Sequence, residues 1–280
     1  MDSATGCAGS RAREGCVTLL AIDAGNTCLV TGISINGGWE EIFCIYNKDF
    51  SEARDIVALL DAELKLRGIE RGQIDTVGIS NVIPKFNRLL GEMSEEMFGM
   101  KPDFVSSDNA GSLKIDVDDP SEVGPDLIAA AVAGYSRHGG PVVLVDMGTA
   151  TTISMVDRDG RFIGVAICPG LKLSADAFSR RISYLPEVPL RFPERILGRN
   201  SVESIQSGLL FGHVSMIEGM IARLRYQYGD NLKVVACGGI SHIIKDLCRA
   251  ITFYEPYLVL DGIRMICRRK AESPRTGRKC

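Results

Sequence analysis

Several absences narrow this chain before any motif is read. Its nine cysteines, at 7, 16, 28, 44, 168, 237, 248, 267 and 280, include no C-x-x-C spacing, and its three histidines, His138, His213 and His242, are far apart. A metal centre of the Cys/His kind is therefore not expected. The odd number, with Cys168 and Cys237 in apolar surroundings, points instead to buried free thiols in a reducing cytoplasm. Long apolar runs are missing too. Nothing approaches the roughly 20 residues of a membrane helix, and the short run 17–22 meets Asp23 too soon to serve as a signal peptide. Charge of one sign is equally scarce: a formal net charge of -3 leaves no overall footprint for nucleic acid or an anionic membrane, so neither is expected as a partner.

Among the residues present, the stretch 142–152, VVLVDMGTATT, organises the rest. An aliphatic run meets an acid, then a glycine, then small residues rich in threonine. That pattern is a buried strand ending in a tight turn, with a carboxylate at its mouth and hydroxyls and backbone N–H groups beyond it. Residues 19–27, LLAIDAGNT, say nearly the same thing, 123 residues earlier from Asp to Asp. One copy of Asp, any residue, Gly and a threonine-bearing turn is no more than a strand and a turn. Two copies in matching contexts look like two halves of a phosphate clamp.

Those contexts do match. Asn36-Gly37-Gly38 is a hairpin signal after the first copy, and 157–160 (DRDG) is one after the second, each between β-rich runs. Alternating helices and strands follow in both halves. Expected helices cover 51–68, with Ile56, Leu59, Leu60, Leu64 and Leu66 apolar, a segment carrying Phe86, Leu89, Leu90 and Met97, the Ala-rich 125–133, and 171–182. Pro186, Pro189 and Pro193 mark a loop before a long helix, 202–228, whose stripe is Ile205, Leu209, Val214, Ile217, Ile221 and Leu224. A strand at 233–236, a short helix at 243–250 and two apolar runs at 257–260 and 263–267 complete the half. The spacing predicts an α/β fold of two related domains, 16–138 and 139–267, with ligands bound beyond the strand ends in the cleft between them. Residues 1–15 and the basic segment 268–280 are expected to be disordered.

In each turn glycine lets backbone approach a phosphate, and Thr27, Thr149, Thr151 and Thr152 can donate to its oxygens. Asp23 and Asp146 would repel phosphate unless a cation lay between, which implies a metal-bound nucleotide. Gly238-Gly239 form a third glycine turn, where adenosine could lie against backbone. Asp126, just after Gly124-Pro125, either caps a helix or acts as a general base on a substrate hydroxyl.

DAGNT, EVGPD, DMGTATT, ICPG, YLPEV, SVESIQSG and ACGGI occur in an order and spacing that resemble the type III pantothenate kinases, of the acetate and sugar kinase, Hsc70 and actin superfamily. The resemblance spans about 19–266. It implies two duplicated actin-like (ribonuclease H-like) domains and ATP-dependent phosphorylation of pantothenate to 4'-phosphopantothenate, the first step of coenzyme A synthesis. By that resemblance Asp23, Ala24, Gly25, Asn26 and Thr27, with Gly148 and Thr149, would hold the phosphates of magnesium-bound ATP. Gly238 and Gly239 would lie by adenosine, and Asp146 would bind a monovalent cation, potassium or ammonium. Asp126 would be the base, with Gly124, Pro125 and Leu127 beside the substrate. The family forms homodimers, its long helix near the interface and the residue at the Ser201 position reaching substrate.

The departures cluster on the acceptor side. The family usually has a basic residue where Val30 stands, Arg at Leu127, Tyr at the substrate-contacting position of Val117, Gly at Val165, and Thr at Ser201 and Cys237. Each lost cation removes charge-assisted hydrogen bonding of about 1.5–3 kcal/mol. Two further readings follow from these changes: a non-catalytic or regulatory paralogue pairing with an intact relative, and a kinase of this fold for another small alcohol.

Overall fold

The computed structural model describes residues 17–46, 50–181 and 188–272. The expected N-terminal disorder, Pro186, most of YLPEV and the last part of the basic tail lie outside them.

The chain opens with a meander: β1 (Thr18–Ala24), β2 (Cys28–Ile35) and β3 (Gly38–Tyr46). Its hairpin turns at Asn36 and Gly37, both at positive φ, which suits the right-handed twist of the two strands. Then come α1 (Ala53–Leu66), β4 (Thr76–Asn81), α2 (Phe86–Phe98), the short β5 (Asp103–Phe104) and β6 (Lys114–Ile115), and α3 (Pro125–His138). A second meander follows as β7 (Val142–Met147), β8 (Ala150–Val156) and β9 (Arg161–Pro169). After it come α4 (Leu171–Arg181), the long α5 (Ser201–Tyr228), β10 (Lys233–Cys237), α6 (Ser241–Ile244), β11 (Phe253–Tyr254) and α7 (Leu258–Glu272).

The two sheets repeat one topology. The first runs β3-β2-β1-β4-β5, and the second β11-β10-β7-β8-β9 with β6 added at its edge. In each, the meander is antiparallel and the next strand joins in parallel: β4 beside β1, β10 beside β7. Asp23 and Asp146 accordingly occupy the same place, the penultimate residue of the central strand.

Two elements cross the division expected at residue 138. β6 pairs with β9 in the second sheet, and α7 returns to lie on the first sheet, where Ile263 and Cys267 meet Gly78 of β4. The α3/α7 pair, with Leu19 and Ala21 of β1 and Val142 and Leu144 of β7, forms a core shared by both halves. Each outer face has its own core, α1 and α2 against the first sheet and α5 against the second. A buried carboxylate, Asp261 of α7, fixes the seam: it accepts from Trp39 Nε1 of β3 at 2.9 Å and pairs with Arg264 at 2.6 Å and with Arg137 of α3 at 2.8 Å.

Several expectations needed revision. The apolar runs at 257–260 and 263–267 belong to one helix, and that helix continues through Glu272 into the segment expected as a disordered tail. Arg264 is drawn into it by Asp261, Trp39 and the carbonyl of Gly37. The helix expected at 243–250 is a single turn, Ser241–Ile244, followed by further turns. In α1 the buried stripe holds Ile56, Leu60 and Leu64, whereas Leu59 and Leu66 face solvent. Cys168 is only partly buried, while Cys237 is fully buried. Buried free thiols in a reducing cytoplasm were the expectation, but Cys28 and Cys44 are joined across β2 and β3. Strand register alone brings those two together.

Candidate active site

Both threonine turns meet. Thr27 Oγ1 and Thr149 Oγ1 lie 3.0 Å apart, although 122 residues separate them. The first turn is closed by Gly25 N–H donating to the carbonyl of Cys28 at 3.1 Å. The second is closed by Gly148 N–H donating to Ala150 at 3.0 Å. Asn26, Thr27 and Thr149 are exposed at the mouth, with Gly25 and Gly148 half-buried beside them and Ala24 buried beneath. Gly170, at the start of α4, donates its N–H to Thr149 O at 3.1 Å, and Ser174 N–H donates back to Gly170. The second turn is thus braced by a helix start, a role for ICPG that sequence alone did not reveal.

Below the turns the carboxylates converge. Asp23 accepts from Ser80 Oγ at 3.0 Å. Burial, then the charges of Asp126 and Asp146, push its pKa up to about 8, with Ser80 opposing. Asp146 is pushed up to about 7 by burial and then by Asp126, with the Cys237 thiol opposing. Asp126, in the first turn of α3, is raised by burial against hydrogen bonds from backbone N–H groups, including Leu127 N–H at 2.8 Å. The Cys237 thiol is raised by burial and then by the same carboxylates. Gly238 turns away from β10 at φ +88, and any Cβ there would collide with Asp146 Oδ1 and the Met147 backbone. This glycine lets the third turn press on the second sheet's acid; Ile240 N–H completes the contact on Met147 O at 3.1 Å. Gly239 lies on the same turn, its carbonyl 2.9 Å from His242 Nδ1.

A site of three acids with raised pKa values suits a cation-bearing ligand. Among the described residues, however, no group of three or more His, Cys, Asp or Glu is arranged to hold a metal ion by itself. The fit is to a cation that brings further oxygen ligands with it, as one bound to a polyphosphate does. The same shifts set a pH dependence. Unfolded carboxylates titrate near 4, so between about pH 4 and about pH 8 the native state binds more protons than the unfolded chain. Stability should fall as pH rises across that window and level off above it, by an amount on the order of 1–3 kcal/mol once solvent screening is allowed for. Thermal melts from pH 5 to 8.5 measure it. The Asp23→Asn/Asp146→Asn double variant should flatten the slope, and an unchanged slope would refute this account.

The side expected to receive the acceptor is apolar. Val30 is the direct cross-strand partner of Asp23. Leu127 is buried in the shared core, and Val30, Val117 and Val123 pack against the same core. Three of the departures from the family pattern, Val30, Leu127 and Val117, thus join one apolar core beside Asp126, with Gly124 and Pro125 half-buried at the helix start. Ser201 stands apart. It is the first residue of α5 and lines a separate cavity of about 510 Å³ with Phe178, Arg199 and Ile205. Thr151 Oγ1, behind the second turn, lies 3.0 Å from His213 Nε2 of α5, and burial lowers the pKa of that histidine.

Two meander-led sheets of one topology, with paired glycine and threonine turns above converging acids, define an α/β protein of the actin and sugar-kinase fold. Solved structures show the same fold. One, from Campylobacter jejuni and described as a Baf family transcriptional activator, aligns with a TM-score of 0.58 at 16% identity, covering 90% of this chain and 99% of that one. Another, from Listeria monocytogenes and described as an N-acetylmannosamine kinase, aligns at 0.50 and 13% identity, covering 91% and 100%. Sequence comparison is narrower. The type III pantothenate kinase family model matches residues 19–223. Curated type III pantothenate kinases are 36% identical in Geotalea daltonii (91% of this chain, 100% of the relative) and 35% identical in Myxococcus xanthus (91% and 100%). The chain belongs to the type III pantothenate kinase family.

Proposed function

We propose that this protein transfers the γ-phosphoryl group of ATP to the primary hydroxyl of pantothenate, giving 4'-phosphopantothenate for coenzyme A synthesis. The observation that carries the reading is the meeting of Thr27 and Thr149 above Asp23, Asp126 and Asp146 in a chain of this family. The turn from Asp23 to Thr27, with Gly148 and Thr149, receives the phosphates through backbone N–H groups and hydroxyls. Adenosine lies toward Gly238 and Gly239. Asp126, raised above the ordinary carboxylate range by burial, takes the hydroxyl proton as the oxygen attacks phosphorus in line with the leaving ADP. Magnesium carried by the nucleotide and a monovalent cation, potassium or ammonium, would lie against Asp23 and Asp146 and neutralise charge there.

The protein acts in the cytoplasm as a homodimer. Exposed Ile196 (67%), Leu197 (80%) and Val202, at and before the start of α5, support an interface on this side, where a partner could bring Ser201 to substrate. The apolar core reached by Val30, Leu127 and Val117 favours a second reading: a subunit whose acceptor site works only beside an intact relative, or one that takes a less charged alcohol.

Purified protein supplied with ATP, magnesium, potassium or ammonium, and pantothenate should release ADP only when pantothenate is present. No release at high protein concentration would overturn the primary reading. Release appearing only after an intact relative is added would select the regulatory subunit, and release with a different alcohol would select the other kinase.

A further inference from the structure

The sulfurs of Cys28 and Cys44 take no part in the site described above, yet their placement is specific. The structure joins them with a Cα–Cα distance of 6.1 Å, inside the roughly 4.4–6.8 Å that a disulfide spans. Val30 is paired with Asp23 on one side and with Cys44 on the other. Directly opposed residues share a sheet face, and Cys28 lies two residues from Val30, so both sulfurs are on the face that carries Asp23. Cys28 is also the residue on which the first phosphate turn closes: its carbonyl accepts the Gly25 N–H, and Thr27 precedes it directly. Cys44 is exposed on the edge strand β3 and Cys28 is half-exposed, whereas Cys237, Cys248 and Cys267 are buried.

We propose that Cys28 and Cys44 form a reversible redox site, modified by thiol–disulfide exchange with low-molecular-weight disulfides, whose oxidised form holds the first turn ready for nucleotide phosphates. In the exchange, the Cys44 thiolate attacks one sulfur of the small disulfide, whose S–S bond breaks and whose leaving thiolate takes a proton. The Cys28 thiolate then attacks Cys44 Sγ in the mixed disulfide and releases the second small thiol. The protein loses two electrons and two protons, and the small disulfide gains them. Cross-linking the closing residue of the turn to β3 restricts the conformations the turn must give up on binding phosphate, so the oxidised form binds nucleotide more tightly. This coupling rests on the reading of 23–27 as a phosphate site.

The test uses the full chain treated with glutathione disulfide or with reduced glutathione. Peptide mapping of the oxidised sample should find a Cys28–Cys44 cross-link with no glutathione retained, and calorimetry with magnesium-ATP should show severalfold tighter binding by the oxidised form. Cys44→Ser, at an exposed position that tolerates the change, should bind ATP equally after either treatment. Failure of the cross-link to form, or glutathione retained on Cys44, would overturn the proposal. Equal ATP affinity in the two cross-link states would overturn the coupling alone. No ATP binding in either state would overturn the nucleotide reading of the turn and the coupling with it.

Discussion

Asp126→Asn is expected to lower phosphoryl transfer by about 10²–10⁴-fold, the usual contribution of a positioned general base, while ATP binding persists. Asn keeps the shape of the side chain and an oxygen to accept the Leu127 N–H, so the first turn of α3 should stay in place. What is lost is the basic oxygen. The expected signature is a fall in kcat with little change in the affinity for magnesium-ATP. A second readout is independent of turnover. The Asp126 charge raises both Asp23 and Asp146, so removing it should move the pH-dependent loss of stability to lower pH. Wild-type turnover in the variant would remove Asp126 from the role of base.

Gly262→Ala should be among the most damaging single methyls in the fold. Gly262 of α7 lies against the backbone of Ala129 in α3, and a Cβ there would collide with the carbonyl carbon and oxygen of that residue. Backbone cannot swing aside as a side chain can, so the helices must separate. Overpacking of this kind costs typically about 1–3 kcal/mol, against a helix-propensity gain for alanine of about 1 kcal/mol. The strain falls on α3 within one turn of Asp126, so activity should fall together with the melting temperature. Gly219→Ala on α5, with nothing within 4 Å of the added methyl, is the control and should leave stability equal or raised. Similar melts for the two variants would show that α3 and α7 do not need this close approach.

The local grammar of the chain was largely legible. The two D-x-G turns with their threonines, both meanders and their hairpins, α2, and the buried stripe of α5 follow from period, turn residues and glycine placement, which act over a few neighbouring residues. Reading failed where length or partner decided. Leu59 and Leu66 fit the apolar pattern of α1 but find no surface to cover. The basic segment from Arg268 reads as a disordered tail, but its first residues continue α7, a helix held to the first sheet where Asp261, buried behind Trp39, pairs with Arg264. Gly170 stands in the sequence only as the end of ICPG, and the fold alone shows it bracing Thr149.

By itself the sequence determined that two strand-and-turn halves exist, each with an acid one residue from the end of its central strand, and that Asp126 opens a helix. Tertiary structure decided what those pieces do together. It placed Thr27 on Thr149, brought three acids into one poorly hydrated space that raises their pKa values, and laid Cys28 beside Cys44 on the face of Asp23. The physical reason is one of range. Propensity and periodicity act between near neighbours, whereas desolvation and like-charge repulsion depend on which distant segments the packing of α3 against α7 draws into contact.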